Sequence, residues 1–130
     1  MAELQPGAPI PDLKVTPDKY VTYRYAGASG DFNPIHIDEE FAREVGLPGK
    51  ILHGLWTMAQ VARAAEEAAG GSLRLRRLAV QFRGMGALEQ EIVVRGSVRD
   101  ADDARAVVEL EAEQAGNRII RNGEAEIALH

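Results

Sequence analysis

The chain has 130 residues, of which 45% are hydrophobic and 27% charged, a balance typical of one soluble globular domain. Its net charge of −5 disfavours nucleic acid as a partner, and the absence of cysteine excludes disulfides and thiolate zinc sites. No apolar run approaches the roughly 18 residues of a membrane span. The N-terminus lacks the basic start and apolar block of a signal peptide, so we expect a cytoplasmic protein.

The first half of the chain predicts helices joined by polar turns. An irregular, proline-rich start contains one short strand near residues 13–15, and Thr16-Pro17 reads as an N-cap followed by the first residue of a helix. Asp38 is the predicted cap of a second, shorter helix that ends at Gly46, and Gly70 ends a third, longer helix. The predicted helices cover residues 17–28, 39–45 and 54–69.

The second half changes to the two-residue period of strands. Four segments alternate apolar with polar residues, which predicts an antiparallel run of four strands with one buried face. The long helix carries an alanine-rich apolar stripe that fits closely against such a sheet, at Leu55, Met58, Ala62, Ala65 and Ala69. The predicted class is therefore α+β, with the sheet wrapped around one central helix.

A polar loop, SGDFNPIHIDEE, carries the residues best suited to chemistry. Asp31 and His36 lie five positions apart, so a helix would point them to different sides, and the loop itself must bring them together. A converging carboxylate and imidazole can hold a water and exchange protons with it. The alternative is ordinary turn chemistry with a buried core histidine. A metal site built from Asp31, His36 and Asp38 lacks a tight ligand spacing.

A second segment, ILHGLWTM, opens the long helix with His53 and Gly54. The free backbone N–H of Gly54, at a helix N-terminus, is suited to an oxyanion hole for a polarised carbonyl. The alternative is that this glycine only starts the helix. We interpret His53 as a structural residue that fixes the turn.

Together these segments resemble a known family. YAGASGDFNPIHIDEEFA and ILHGLWTMA are similar to the two signature segments of the (R)-specific enoyl-thioester hydratases, the MaoC-like or hydratase 2 group, and close to actinobacterial (3R)-hydroxyacyl dehydratase catalytic subunits. The resemblance is strong over residues 16–59 and covers the strand half only by layout and by Phe82. It implies that residues 1–130 form a single MaoC-like domain with a hot-dog fold.

The resemblance also implies an activity. Asp31 and His36 would form the catalytic pair for reversible addition of water to a trans-2-enoyl thioester, giving the (R)-3-hydroxyacyl product. Asn33 would help fix the loop or the water, and the Gly54 N–H would bind the thioester carbonyl. No metal or redox cofactor is implied, since CoA or an acyl carrier protein arrives as part of the substrate. A homodimer, or a heterodimer with a second hot-dog subunit, is expected.

Two features leave the substrate open. The segment Phe82-Arg83-Gly84 keeps a basic residue but lacks the proline that many relatives carry next, which affects the expected edge of the site. Trp56 is predicted to face the acyl pocket or the adjoining core. A hot-dog acyl-thioesterase and a non-catalytic partner or binding subunit are the competing readings.

Overall fold

The architecture is known from a computed structural model, which describes residues 4–130; the first three residues of the predicted irregular start lie outside this range. Five strands form one antiparallel sheet in the order β1-β3-β4-β5-β2. The strands are β1 (Leu13–Val15), β2 (Leu75–Phe82), β3 (Ile92–Ala101), β4 (Arg105–Gln114) and β5 (Asn117–Ala128). The predicted short first strand and the four-strand antiparallel run are both confirmed.

The tightest connection in the sheet joins β4 to β5. Gln114 pairs with Asn117, so the loop is only Ala115-Gly116, and both residues have positive φ, 51° and 80°. Positive φ at both central positions is the backbone of a type I′ turn, whose twist matches that of paired strands. The two-residue turn therefore fixes the register of the longest strand pair.

Four helices are the other elements: α1 (Val21–Ser29), α2 (Pro34–Ile37), α3 (Glu39–Glu44) and α4 (Gly54–Ala69). The predicted bounds of α4 are confirmed, because Gly70 adopts a left-handed conformation (φ 85°) that stops the helix and bonds its N–H back to carbonyls of the last turn. Asp38 caps α3 as predicted, by accepting the backbone N–H of Phe41. No helix within residues 4–130 has the length and apolarity needed to cross a membrane.

The predicted start of the first helix was wrong. The helix begins at Val21, and the preceding segment is anchored elsewhere, since the carbonyl of Pro17 accepts the N–H of Glu89. Asp18 holds the entrance to α1 by accepting the N–H of Tyr20 at 2.7 Å. A local cap pattern at Thr16-Pro17 was overridden by a bond to a distant loop.

Helix α4 lies against the concave face of the sheet and contributes the centre of the core. The predicted stripe was only partly right, because Leu55 is 62% exposed and Met58 and Ala62 are half-buried. The buried face instead contains Thr57, Gln60, Val61, Ala64, Ala65, Ala68 and Ala69. Small side chains let the helix approach branched residues of the strands, among them Ile92, Val94, Val108 and Ile127.

The strands also depart from strict alternation. Leu73 lies in a single 3-10 turn before β2 and is 87% exposed, so it does not begin the strand as its spacing suggested. In β5, Ile119 and Ile120 are both buried, and Asn122 has a positive φ of 51° beside a register shift. Such a bulge changes which side chains face the core. It places two adjacent isoleucines where strict alternation predicts one.

The convex face of the sheet is charged. Cross-strand ion pairs cover it, such as Arg99 with Glu109 and Glu124, and Arg105 with Glu126. This face therefore stays in water while the opposite face wraps around α4, as expected for the α+β hot-dog fold.

Candidate active site

The loop that follows α1 holds Asp31 by short-range hydrogen bonds. Gly30 ends the helix in a left-handed conformation (φ 81°), and its N–H bonds to the carbonyl of Ala26 at 2.8 Å. The N–H of Asp31 then bonds to the hydroxyl of Ser29 at 3.1 Å, and Asp31 Oδ1 accepts the N–H of Asn33 at 3.1 Å. Oδ1 is thereby engaged by the backbone, while the side chain as a whole is exposed.

Asn33 and Pro34 start the one-turn helix that carries His36. Asn33 Oδ1 accepts the N–H of Ile35 at 3.3 Å, and Pro34 occupies the first helical position. The sequence predicts a loop for the whole segment, but His36 lies on this helix while Asp31 precedes it. Asn33 therefore helps to fix the segment; its contact with a water stays a prediction.

The ring of His36 has a defined orientation. Its Nδ1 lies 2.8 Å from the carbonyl oxygen of Ile51, and the N–H of Ile51 bonds in return to the carbonyl of Ile35. Because a carbonyl can only accept, Nδ1 carries the proton of this bond. The bond leaves Nε2 as the nitrogen of His36 available for chemistry, and the side chain is only 7% exposed.

The predicted pair does converge. A carboxylate oxygen of Asp31 and one ring nitrogen each of His36 and His53 all lie within 4.8 Å of one another. A water that makes two hydrogen bonds of about 2.8 Å can bridge polar atoms at such a separation. The arrangement can therefore hold one water between a carboxylate and an imidazole. Asp38, which caps α3, is not part of this group.

His53 is the member of the cluster that the sequence interpretation assigned only to the turn. It is 2% exposed, it precedes the first residue of α4, and its ring stacks on that of His36 with centroids 3.9 Å apart. Its Nε2 donates to the carbonyl oxygen of Asp31 at 2.9 Å. These contacts join residues that lie far apart in sequence, and the sequence carries no local signal for them.

Three such side chains also raise the question of a metal ion. The rings of His36 and His53 are nearly parallel, with an interplanar angle of 21°. Imidazole lone pairs lie in the ring plane, so one ion bound by two stacked rings at about 2.0–2.1 Å would lie well outside both planes. This geometry is unfavourable for one ion shared by the two rings. That the site uses no metal stays a prediction.

An apolar cavity of about 190 Å³ opens beside His36 and the start of α4. It is lined by His36, Ile51, Leu52, Gly54, Thr57, Phe82, Gly84, Met85, Gly86, Ile119 and Ile120. Gly54 is the first residue of α4, so its N–H has no acceptor within the helix. A side chain here would crowd the cavity wall, because a Cβ on Gly54 would lie 3.2 Å from the ring of Phe82.

The segment without the expected proline forms one wall of this cavity. The N–H of Leu52 bonds to the carbonyl of Gly86 at 2.9 Å. A Cβ on Gly86 would lie 2.7 Å from Leu52 Cδ1, so a larger residue here would displace the end of the Leu52 side chain. Gln114, 5% exposed, holds the same segment by accepting the N–H of Ala87 and donating to the carbonyls of Ala87 and Gln90. This wall therefore combines two glycines, Gly84 and Gly86, with the side chains of Phe82 and Met85.

Trp56 lies away from the cavity. It is half-buried in a groove between α1 and α4, together with Tyr25 and Arg63, and it packs against the core. Of the two places predicted for Trp56, the structure supports the adjoining core.

A wider concavity, of about 570 Å³, lies on the charged outer face of the sheet. Its arginines are already paired with acidic side chains, for example Arg95 with Glu113 and Arg118 with Glu111. It contains neither member of the Asp31–His36 pair. The smaller apolar cavity is the better candidate for substrate, because it combines an enclosed apolar wall with groups able to move protons.

Comparison with known proteins identifies the family of the chain. The family model described as "MaoC like domain" matches residues 5–118. Fatty acid synthase beta subunit TOXC of Cochliobolus carbonum is 38% identical over 109 residues, which are 79% of this chain but 5% of that protein. The peroxisomal hydratase-dehydrogenase-epimerase of Saccharomyces cerevisiae is 36% identical over 115 residues, 82% of this chain and 12% of that protein. The chain thus spans only a small part of these relatives.

A solved structure shows the same fold over the whole chain. The (R)-hydratase from A. caviae involved in PHA biosynthesis superimposes with a TM-score of 0.88, covers 100% of both chains and is 20% identical. At this identity the likeness shows the hot-dog fold, while the family match covers most of the sequence. The chain belongs to the MaoC-like domain family, whose hot-dog members include (R)-hydratases and dehydratases.

Proposed function

We propose that this chain catalyses the reversible addition of water to trans-2-enoyl thioesters to give (R)-3-hydroxyacyl thioesters, or the reverse dehydration. One observation carries the proposal. The carboxylate of Asp31 and a ring nitrogen of His36 lie within 4.8 Å of each other, beside an apolar cavity rimmed by the free N–H of Gly54. Water, an acid–base pair, a carbonyl-binding donor and an acyl pocket are the four requirements of this reaction.

The substrate would be held by its two ends. Its thioester carbonyl accepts the N–H of Gly54, aided by the positive end of the α4 dipole, and the acyl chain enters the apolar cavity. C3 then faces the water held by Asp31 and His36. The N–H of Gly54 stabilises the negative charge that develops on the carbonyl oxygen as the water adds to C3.

Asp31 and His36 together accept one proton and donate one proton in the reaction. As the C2=C3 π bond breaks, the water oxygen forms a bond to C3 and C2 receives a proton. One member of the pair starts protonated and delivers its proton to C2, while the other starts unprotonated and takes a proton from the water, and the roles reverse in dehydration. Asp31 and His36 approach the substrate from one side, which favours syn addition. The reaction proposed here needs no metal and no redox cofactor.

The partners and setting proposed for the chain follow from this reaction. The thioester carrier, CoA or acyl carrier protein, enters with the substrate. The working unit is a homodimer or a heterodimer with a second hot-dog subunit, located in the cytoplasm. The hydratase activity named for the S. cerevisiae relative supports the proposal, although it belongs to a protein of which this chain matches 12%.

The test of the proposal separates it from a thioesterase and from a binding subunit. Purified protein is incubated with crotonyl-CoA, and the enoyl-thioester absorbance and the release of free thiol are followed in parallel. We expect loss of the absorbance without thiol release, and a 3-hydroxyacyl product of (R) configuration. Thiol release would indicate a thioesterase, and binding without either change would indicate a non-catalytic subunit.

A further inference from the structure

His53 is the buried titratable residue that the proposed mechanism does not use. It stands at the N-cap of α4 without capping the helix through its side chain, so helix capping does not explain it. Its ring instead contacts three residues. It stacks on the ring of His36, its centroid lies 4.7 Å from that of the Tyr25 ring, and its Nε2 donates to the main-chain carbonyl of Asp31. We propose that His53 is a positioning residue, which sets the distance between Asp31 and His36 through these contacts.

The hydrogen bond to Asp31 is the part of this role that the loop cannot supply itself. The other hydrogen bonds that the described residues make around Asp31 are local, joining positions at most four apart, such as Ser29 with Tyr25 and Asn33 with Asp31. Local bonds fix the shape of a loop but not its place relative to the rest of the protein. The bond from His53 spans 22 positions and ties the Asp31 main chain to the first turn of α4.

The stacking contact acts on the second member of the pair. The bond from His36 Nδ1 to Ile51 fixes one edge of the His36 ring, and the stacked ring of His53 supports its face. One rigid side chain therefore touches the ring of His36 and the main chain of Asp31, and it directly precedes Gly54, whose N–H is the proposed donor to the substrate carbonyl. Displacements of about 1 Å in such geometry can lower a rate by about 100-fold.

The hydrogen bonds of His53 show that Nε2 is the ring atom that holds Asp31. Nε2 must carry a proton, because the carbonyl of Asp31 can only accept. Nδ1 is buried and has no hydrogen-bond partner among the described residues. The amide nitrogen of glutamine can reach the place of Nε2, whereas the amide of asparagine reaches only the place of Nδ1. Glutamine should therefore keep the bond to Asp31, and asparagine should lose it.

The inference rests on the proposed hydratase function, so its test has two readouts. The first is steady-state hydration of crotonyl-CoA by His53→Asn, His53→Gln and His53→Phe, with His130→Asn, an exposed C-terminal histidine, as the matched control. The second is hydrogen exchange at the amides of residues 31–33, measured without substrate. Melting temperatures are recorded for each variant.

We expect His53→Asn to lower kcat by about 10- to 100-fold with KM changed by no more than about twofold, since the pair and not the substrate is displaced. His53→Gln should recover most of kcat, and His53→Phe, which keeps only the stack, should fall between them. Exchange at residues 31–33 should rise in the asparagine variant and stay near wild type in the glutamine variant.

Two results would overturn the inference. One is wild-type kcat and exchange in His53→Asn. The other is an equal loss of kcat in the asparagine and glutamine variants that follows only their melting temperatures, which would make His53 a structural residue alone. If the wild-type protein hydrates no enoyl thioester, the proposed function fails by itself, and the exchange data still decide whether His53 positions the Asp31 loop.

Discussion

Gly54 has two properties at one position, a free backbone N–H and the absence of a side chain. The first is available to a carbonyl because the residue opens α4, and the second lets the ring of Phe82 approach. Substitution of Gly54 by alanine adds a side chain but keeps the N–H, whereas substitution by proline also removes the N–H. Proline is tolerated at a first helical position, and the extended backbone of His53 (ψ 132°) is compatible with a following proline.

Gly54→Pro is expected to lower kcat by about 10²–10³-fold relative to Gly54→Ala, because only proline removes the N–H that the transition state needs. Both variants add carbon atoms against Phe82, so Gly54→Ala is the control for crowding. The measurement is steady-state hydration of crotonyl-CoA. Equal activities of the two variants would remove the Gly54 N–H from the mechanism.

Met85 offers a test of the acyl pocket at little cost to stability, since its side chain is 56% exposed yet lines the cavity. A cavity of about 150 Å³ admits benzene, so a cavity of about 190 Å³ suits an acyl chain of similar carbon number. Met85→Ala should widen the mouth and raise kcat/KM for a longer enoyl-CoA relative to crotonyl-CoA. The exposed Val45, away from the cavity, gives the control variant Val45→Ala. An unchanged ratio in Met85→Ala would place the acyl chain elsewhere.

Among single residues, only part of the candidate site could be predicted from the sequence. Asp31 and His36 could be proposed because an acid–base pair near a proline turn is visible in one short segment. The contacts of His53 could not, because its hydrogen bond to Asp31 and its stacking on His36 depend on how α4 meets the loop. The position of Trp56 could not be predicted either, because neighbouring residues of one helix face different sides: Thr57 lines the cavity and Trp56 lines the groove.

Among the elements, the start of α1 depends on charge. The guanidinium of Arg24, 2.5 Å from Asp18 Oδ2, holds the pKa of that carboxyl below its ordinary value of 3.8, and the N–H of Tyr20 lowers the pKa further. A carboxyl whose pKa is lowered by folding stabilises the folded state above its unfolded pKa. This contribution disappears as the pH falls through the folded pKa.

Asp18→Asn should therefore lower the melting temperature slightly near neutral pH, and the difference from wild type should shrink as the pH falls below 3.8, the ordinary pKa of the carboxyl. The effect is small because the pair is exposed to solvent and is screened by salt. Thermal unfolding of both proteins across the pH range is the measurement. A difference that persists unchanged into acid would show that the ionised carboxylate of Asp18 is not its source.

The element predictions succeeded or failed for identifiable physical reasons. The bounds of α4 could be predicted because glycines mark its end and no competing signal interrupts it. The start of α1 could not, because the Pro17 carbonyl is used by Glu89, a residue remote in sequence. The buried stripe of α4 was misjudged because alanines occupy several faces of the helix, and only the sheet decides which of them are covered.

Across the whole molecule, the edge of the sheet formed by β2 is the feature most relevant to assembly. β2 is the last strand in the sheet order and pairs with β5 on one side only. It ends at Phe82, which is 48% exposed beside the cavity, close to the exposed Met85. An unpaired edge next to exposed apolar side chains favours association with a second subunit.

The purified chain is accordingly expected to have twice its 14.1 kDa mass when measured by light scattering after size exclusion. A chain that remains monomeric alone but forms a 1:1 complex with a second hot-dog subunit would favour the heterodimer among the two assemblies proposed. A monomer that hydrates enoyl thioesters at full rate by itself would show that neither assembly is needed.

The overall architecture could be predicted from the change in hydrophobic period, three-to-four residues in α4 and two residues in the strands. That change implies a helix against an antiparallel sheet before any contact is known. Strand order could not be predicted in the same way. Both β1 and β2 lie at edges of the sheet, and their places are set by long-range pairing, Leu13 with Val94 and Leu78 with Ala125.

The central claim is that Asp31 and His36 act together on one water. The most direct test is the rate of loss of enoyl absorbance with crotonyl-CoA in wild type, Asp31→Asn and His36→Ala. Asp38→Asn serves as control, since Asp38 lies in the same segment but caps α3, and asparagine also caps well. We predict losses of about 10²–10⁴-fold in both pair variants and near wild-type activity in the control. Activity that survives both substitutions would show that this segment is only a turn.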